Sequence, residues 1–298
     1  MYPIIFEYKF LKISSYGLML MLAFLTCNYL LRKYLLKINQ EPKIADDIIF
    51  YAALGGILGS KLYYVAEQAL YYSDYSNIEG LMLIFEGLYK FDISIIFLGI
   101  NQFGSGLVFL GGLIGGFISV TYYIKRNSLD TLEVYDWVAP FLALGHAIGR
   151  LGCFLVGDCY GKPCSLPWAV TFKEGLPPTT FESFKYNYPT VFNQEYFSSI
   201  YSPGDYVYVH PTQIYEFALY FLIFLYLEKI KKNKSYNGIV MFEYLFLAGT
   251  ARFLIEFLRL NPGYLFNFSG AQVISLAMIL VSSFLMYFHR KKVSNGIR

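Results

Sequence analysis

Long apolar windows separated by basic turns set the plan of this chain. Seven stretches are apolar enough, over about 20 residues, to cross a hydrocarbon core of about 30 Å. They are Ser14–Leu31, Asp47–Ala69, Gly104–Ile124, Trp137–Gly157, Pro211–Leu227, Gly238–Leu258 and Gly270–Phe288. Leu81–Ile100 is apolar as well, but Glu86, Lys90 and Asp92 interrupt it, which predicts an interfacial or re-entrant segment. The pattern predicts an all-α polytopic membrane protein, one membrane domain over 1–298 with seven transmembrane helices. The long polar connection 158–209, with WAVTF, LPP and SPGDY, predicts short strands and turns in a small exterior head.

Composition supports that class. Of the 298 residues 56% are hydrophobic and only 15% charged, against about 25% charged in an average soluble domain. The net charge of +3 says little about partners, whereas its distribution gives an orientation. Arg32, Lys33, Lys37 and Lys43 follow the first window, and Lys125 and Arg126 the third. Lys229, Lys231, Lys232 and Lys234 follow the fifth, and Arg290, Lys291, Lys292 and Arg298 the seventh. These clusters all fall on one side, which the positive-inside rule makes cytoplasmic. The N-terminus is then outside and the C-terminus cytoplasmic. No basic n-region or small-residue cleavage site stands at the start, so the first helix is expected to stay as an anchor.

The candidate chemistry lies in two arginines placed within apolar windows. Arg150 stands in ALGHAIGRLGCFLVGDCYGKP and Arg252 in FLAGTARFLIEFLRL. Guanidinium stays charged at ordinary pH, and holding it at bilayer depth costs about 2.5–3.5 kcal/mol on insertion scales. An anion must offset that cost. Arg252 has Glu256 one turn on, with Arg259 after it. Arg150 has only His146 one turn before it, and Asp158 lies near the helix end. A lipid phosphate is therefore the better-motivated partner of Arg150, because the guanidinium fork matches phosphate oxygens. Pro211, in HPTQIYE, suits the first turn of the fifth helix. Taken alone, His210, Tyr16, Tyr64 and Tyr215 fit interfacial positions. The glycine runs fit close helix packing. Cys153, Cys159 and Cys164 contain no CxxC pair, so no metal is expected, and a Cys159–Cys164 disulfide is left open.

These residues carry a resemblance. GRLGCFLVGDCYGKP is similar to the glycine-rich signature of prolipoprotein diacylglyceryl transferases, bacterial inner-membrane enzymes. SYGLML, GSKLYYV, GLVFLGGLIGG, HPTQIYE and RFLIEFLR follow the same order, so the likeness covers almost the whole chain. It implies transfer of a diacylglyceryl group from phosphatidylglycerol to the lipobox cysteine of a prolipoprotein signal peptide, with release of glycerol phosphate. No metal or organic cofactor is implied, and membrane lipids rather than nucleic acid are the expected surroundings. Arg150 and Arg252 match the family's essential arginines, Gly161 the signature's terminal glycine and Tyr16 the first-helix tyrosine. Gln213, Tyr215 and Glu216 fall on the His-Pro block with His210, and Tyr64 on the second-helix block. Cys153 holds a place in the signature and joins this binding set.

Four positions depart from the family pattern. Leu110 replaces a histidine, Cys153 an asparagine, Asp158 a glutamate and Ala248 a tyrosine. Without the histidine, the base that activates the acceptor thiol is expected to be Asp158 or His146. Asp158 is favoured by its place at the outer helix end; alternatively, the arginines alone lower the thiol's pKa. A non-catalytic phospholipid-binding relative and a transporter are the competing readings. The enzymatic reading requires Arg150 and Arg252 to remain available to a headgroup, rather than closed off by carboxylates with no cavity between them.

Overall fold

A computed structural model describes residues 2–8, 11–104, 106–189, 200–263 and 267–294. In chain order its elements are β1 (Ile4–Tyr8), β2 (Leu11–Ser14), α1 (Ser15–Lys37), α2 (Lys43–Tyr71), α3 (Ser76–Lys90) and α4 (Ile93–Phe103). They continue with α5 (Phe109–Arg126), α6 (Thr131–Val156), α7 (Phe181–Asn187), α8 (Thr212–Lys231), α9 (Ile239–Glu256) and α10 (Gly270–Ser294). Each of the seven apolar windows lies largely on a helix. Among the described residues four helices are long and apolar enough to cross a membrane: Ser15–Lys37, Lys43–Tyr71, Thr131–Val156 and Gly270–Lys291. The all-α expectation needs one correction, because β1 and β2 pair as an antiparallel hairpin ahead of α1, with Ile4 opposite Ser14.

The chain forms two compact units, Met1–Tyr34 with Leu132–Arg298, and Leu35–Thr131. In the first, α6 supplies Ala139, Ala143 and Ala147 to a core with Tyr220, Ile223 and Leu227 of α8 and Val240, Ala248 and Ala251 of α9. Small residues on α6 let neighbouring helices come close. At one end Asp136 ties α6 to α9: its Oδ1 accepts from the amides of Val240 (3.0 Å) and Met241 (3.1 Å), and its Oδ2 from Gly238 (2.8 Å). The first turn of a helix leaves such N–H groups without partners, and the carboxylate also suits the positive end of the α9 dipole.

The polar connection of this unit has a core of its own, formed by Tyr160, Phe172, Phe181, Phe184, Val207, Val209 and Leu260. Its strand signals become isolated bridges, Val170 with Val209 and Thr180 with Tyr206. The helix α7 follows Thr180, whose side chain accepts from Ser183 N. Residues 190–199 of the expected head lie outside the described residues.

In the second unit α2 and α5 meet along glycine. A Cβ on Gly59 would lie 2.3 Å from Gly111 O, and one on Gly115 would lie 2.3 Å from Gly55 O. The interrupted window Leu81–Ile100 is a pair of short helices, α3 and α4. Phe91 ends α3 at φ 52, and Asp92 starts α4 by accepting from Ser94 N and Ile95 N. The charged residues that break the hydropathy pattern thus also mark the turn.

Candidate active site

Glu216 is the hub of the first unit's polar cluster. Its side chain is 1% exposed and lies on the first turns of α8. Arg150 Nε stands 2.6 Å from Glu216 Oε2, Arg252 Nη1 is 3.1 Å from Oε1, and Arg259 Nη1 is 3.5 Å from Oε1. Glu256 takes the other side of Arg252, with Nη2 2.7 Å from Oε2. It also accepts from Ser269 Oγ (2.7 Å) and Asn261 Nδ2 (2.6 Å). Three helices, α6, α8 and α9, thus converge on one buried ion cluster.

The Arg252–Glu256 pair expected from i,i+4 spacing is present. The expectation for Arg150 is corrected: its neighbour is a carboxylate from another helix, invisible to a search along α6 alone. Both guanidiniums touch carboxylates. Two cavities in this unit, one lined by Tyr2, Ile5, Ser15 and Leu155, the other by Tyr2, Thr171, Lys173 and Glu174, are bordered by neither arginine. The cluster is nonetheless unbalanced in charge. Among the described residues the ion pairs of Arg150, Arg252 and Arg259 run to two carboxylates, Glu216 and Glu256, with the Asp158 carboxyl and the Cys159 thiol also within reach of the Arg150 and Arg259 charges.

His146 is drawn into the cluster. Arg150 Nε lies 3.3 Å from His146 Nε2, which is also 3.6 Å from Glu216 Oε2. The ring stacks on Tyr220 at 3.7 Å between centroids. Arg150 Nη1 also points at Cys153 Sγ, 3.9 Å away. Tyr16 packs against the same turn, since a Cβ on Gly152 would lie 3.2 Å from Tyr16 Cδ2.

Beyond α6 the chain turns through Gly157 (φ 75) and Cys159 (φ 59). Gln213 Nε2 donates to Asp158 O at 2.5 Å and Thr212 Oγ1 to Cys159 O at 2.8 Å. Arg259 Nη1 reaches Cys159 O at 3.0 Å. Asp158 Oδ1 is buried without a hydrogen-bond partner, and burial raises this carboxyl to about 6. The Cys159 thiol is pulled the other way, below the usual thiol range, by its hydrogen bond with Cys153 and by the Arg259 charge.

Gly161 is a point of close approach. A Cβ there would lie 2.5 Å from Leu258 O and 2.7 Å from Thr212 Cγ2, while its own N–H donates to His210 O at 2.9 Å. His210 Nδ1 is 3.4 Å from Tyr215 Oη, which accepts from Trp168 Nε1 at 2.7 Å. Burial lowers the His210 pKa.

Arg150, Arg252, His146, Glu216, Asp158, Cys153, Tyr16, Gly161, Gln213, His210 and Tyr215 thus all belong to one unit. Tyr64 belongs to the other, on α2, beside Gly106 and with Lys61 Nζ 5.0 Å from its ring centre. Leu110 is on α5 of that second unit. Ala248, in the first unit, is buried on α9, and its carbonyl lies 3.4 Å from Tyr220 Oη. All four cysteines are free, so the Cys159–Cys164 disulfide is not formed.

Two members of the site carried no assigned role in the sequence. Arg259 lies three residues after Glu256, a spacing that could have flagged it. Cys159 stood in the sequence only as an open disulfide partner of Cys164; the turn at Gly157 brings it instead beside Cys153 and Asp158.

Helices of membrane-spanning length, one of which (α6) meets α8 and α9 at a buried cluster of guanidiniums and carboxylates, define a polytopic helical membrane protein with an internal polar site. The chain belongs to the prolipoprotein diacylglyceryl transferase family, whose model matches residues 3–288. Among its relatives is a phosphatidylglycerol–prolipoprotein diacylglyceryl transferase of Clostridium tetani. That protein is 31% identical over 291 residues, covering 97% of this chain and 98% of the relative. Proteins of the same name from Finegoldia magna and Thermotoga maritima are 30% and 26% identical, covering 95% and 93% of this chain and 94% and 81% of their own.

Proposed function

We propose that this protein transfers the diacylglyceryl group of phosphatidylglycerol to the lipobox cysteine of prolipoproteins, in a bacterial cytoplasmic membrane. It acts as a single membrane domain of seven spans. Its N-terminus and the head formed by 158–209 face outward, and its C-terminus faces the cytoplasm. Family membership supports the reaction, and the basic residues after alternate windows support the orientation.

The observation that carries the reading is the unbalanced cluster. Three guanidiniums offset by two carboxylates retain attraction for one more anion, and a phosphodiester supplies it. As the acceptor sulfur attacks the glyceryl carbon, a C–S bond forms, the C–O bond to phosphate breaks, and the electron pair leaves on the phosphate oxygen. Arg150 and Arg252 stabilise that growing charge in a site where water is scarce, so their hydrogen bonds count for more. The thiol proton goes to Asp158, whose raised pKa suits a base near neutral pH. His146 is the weaker candidate, because its Nε2 already faces Arg150 and Glu216; it orients Arg150 instead. Gln213, Thr212 and Gly161 fix the turn that carries Asp158, while Tyr16, Cys153, His210 and Tyr215 line the path of the substrates within the first unit.

Purified protein given labelled phosphatidylglycerol and a synthetic lipobox peptide tests the proposal. Label on the peptide thiol is the expected result. Lipid binding without transfer would make the chain a non-catalytic relative, with Glu216 and Glu256 holding the arginines shut.

A further inference from the structure

The turn after α6 gathers three potential metal donors whose spacing in the chain gives no hint of it. Cys153 Sγ, Cys159 Sγ and a carboxylate oxygen of Asp158 all lie within 4.8 Å of one another. Around a tetrahedral zinc ion with Zn–S bonds of about 2.3 Å, neighbouring sulfurs stand about 3.8 Å apart. Closure onto a cation therefore needs side-chain adjustments on the order of an ångström.

We propose that Cys153, Cys159 and Asp158 form a site for one thiophilic divalent cation of the zinc type, bound by two thiolates and one carboxylate with a fourth position left for water. The inference does not rest on the transfer reaction, but the site takes up Asp158, the proposed thiol base, so a bound cation would block that base.

Four observations support it. Asp158 Oδ1 is buried with no hydrogen-bond partner, an acceptor left with nothing to bind. Cys159 adopts φ 59 although it is not glycine. Such a conformation costs on the order of 1–3 kcal/mol and concentrates at functional turns; here it returns the thiol toward Cys153. The site lies at the carboxyl end of α6, where the helix dipole favours a cation. Charge balance also fits. Two thiolates, a carboxylate and a divalent ion sum to a net negative group, which Arg150 on Cys153 Sγ and Arg259 on Cys159 O can accept as neighbours.

Cys164 and Cys27 serve as internal controls, since neither joins the group. Full-length protein, reduced and stripped of metal in detergent, is titrated with Co2+. A thiolate-to-cobalt charge-transfer band that saturates at a single equivalent is expected, lost in Cys159→Ser and kept in Cys164→Ser. Absence of the band, or its survival in Cys159→Ser, overturns the site. A second measurement needs no variant. Zn2+ should abolish alkylation of Cys159 in the unaltered protein, read by peptide mass, while Cys164 continues to react. Equal alkylation of Cys159 with and without Zn2+ overturns the proposal.

Discussion

Two helix contacts in this protein bury their surfaces by opposite means. Between α2 and α5 of the second unit, side chains are removed: Gly55 and Gly59 face Gly111 and Gly115, and the backbones touch. Among α6, α8 and α9 of the first unit, long charged side chains are inserted, and Glu216 holds them together. The glycine seam works by dispersion and fit, so its energy is spread over many atoms. The ion cluster concentrates its energy in a few groups, each costly to strand. Only the second kind of contact leaves charge available for chemistry.

The largest effect should come from breaking the hub. Glu216→Gln leaves Arg252 and Arg259 to Glu256 and takes the carboxylate from Arg150. Stranding a buried charge costs about 3–5 kcal/mol, so thermal unfolding in detergent should fall sharply and transfer should vanish. An unchanged midpoint would mean that Glu216 does not hold the cluster together.

Next is Asp158→Asn, expected to slow transfer by about 10²–10⁴-fold, the usual contribution of general base catalysis. A base works only when deprotonated, and the folded pKa of Asp158 is raised to about 6. Transfer should therefore rise with pH through about 6 and then level, and the variant should lack that limb. Transfer at the unaltered rate would remove Asp158 as the base. The linked stability runs the other way. With its folded pKa above the unfolded value, this carboxyl favours folding at low pH and loses that contribution as pH climbs through about 6.

The seam should respond more mildly. Gly59→Ala places a Cβ 2.3 Å from Gly111 O and 2.8 Å from Gly115 Cα. Overpacking of this kind costs about 1–3 kcal/mol, and unfolding in detergent should show it while the cluster stays intact. The smallest change is Gly56→Ala, where the nearest atom, Gly112 O, is 3.7 Å away. It should stay within about 0.5 kcal/mol of the parent. Equal losses at Gly56 and Gly59 would refute close backbone approach as the reason for glycine in this seam.

Much of the fold was legible because hydropathy acts locally: an apolar window needs no partner to be recognised. The seven windows accordingly lie on helices, and Asp92, which breaks an apolar stretch, caps α4. The hairpin β1–β2 escaped notice, since each strand is only four or five residues long. At the site, Arg252 with Glu256 was readable from i,i+4 spacing, a short-range rule. Arg150 with Glu216 was not, for 66 residues separate them in the chain and no periodicity connects α6 to α8.

The sequence by itself determined the class of protein, the family and the presence of two permanent cations in apolar helices, because these depend on residue identity and near-neighbour order. Tertiary structure alone decided that Glu216 would sit between them, that Arg259 would make the charge uneven, and that Cys159 would fold back beside Cys153 and Asp158. Those outcomes depend on which helix faces meet and on two left-handed residues after α6. Distances across the fold, rather than spacing along the chain, set the Coulomb energies.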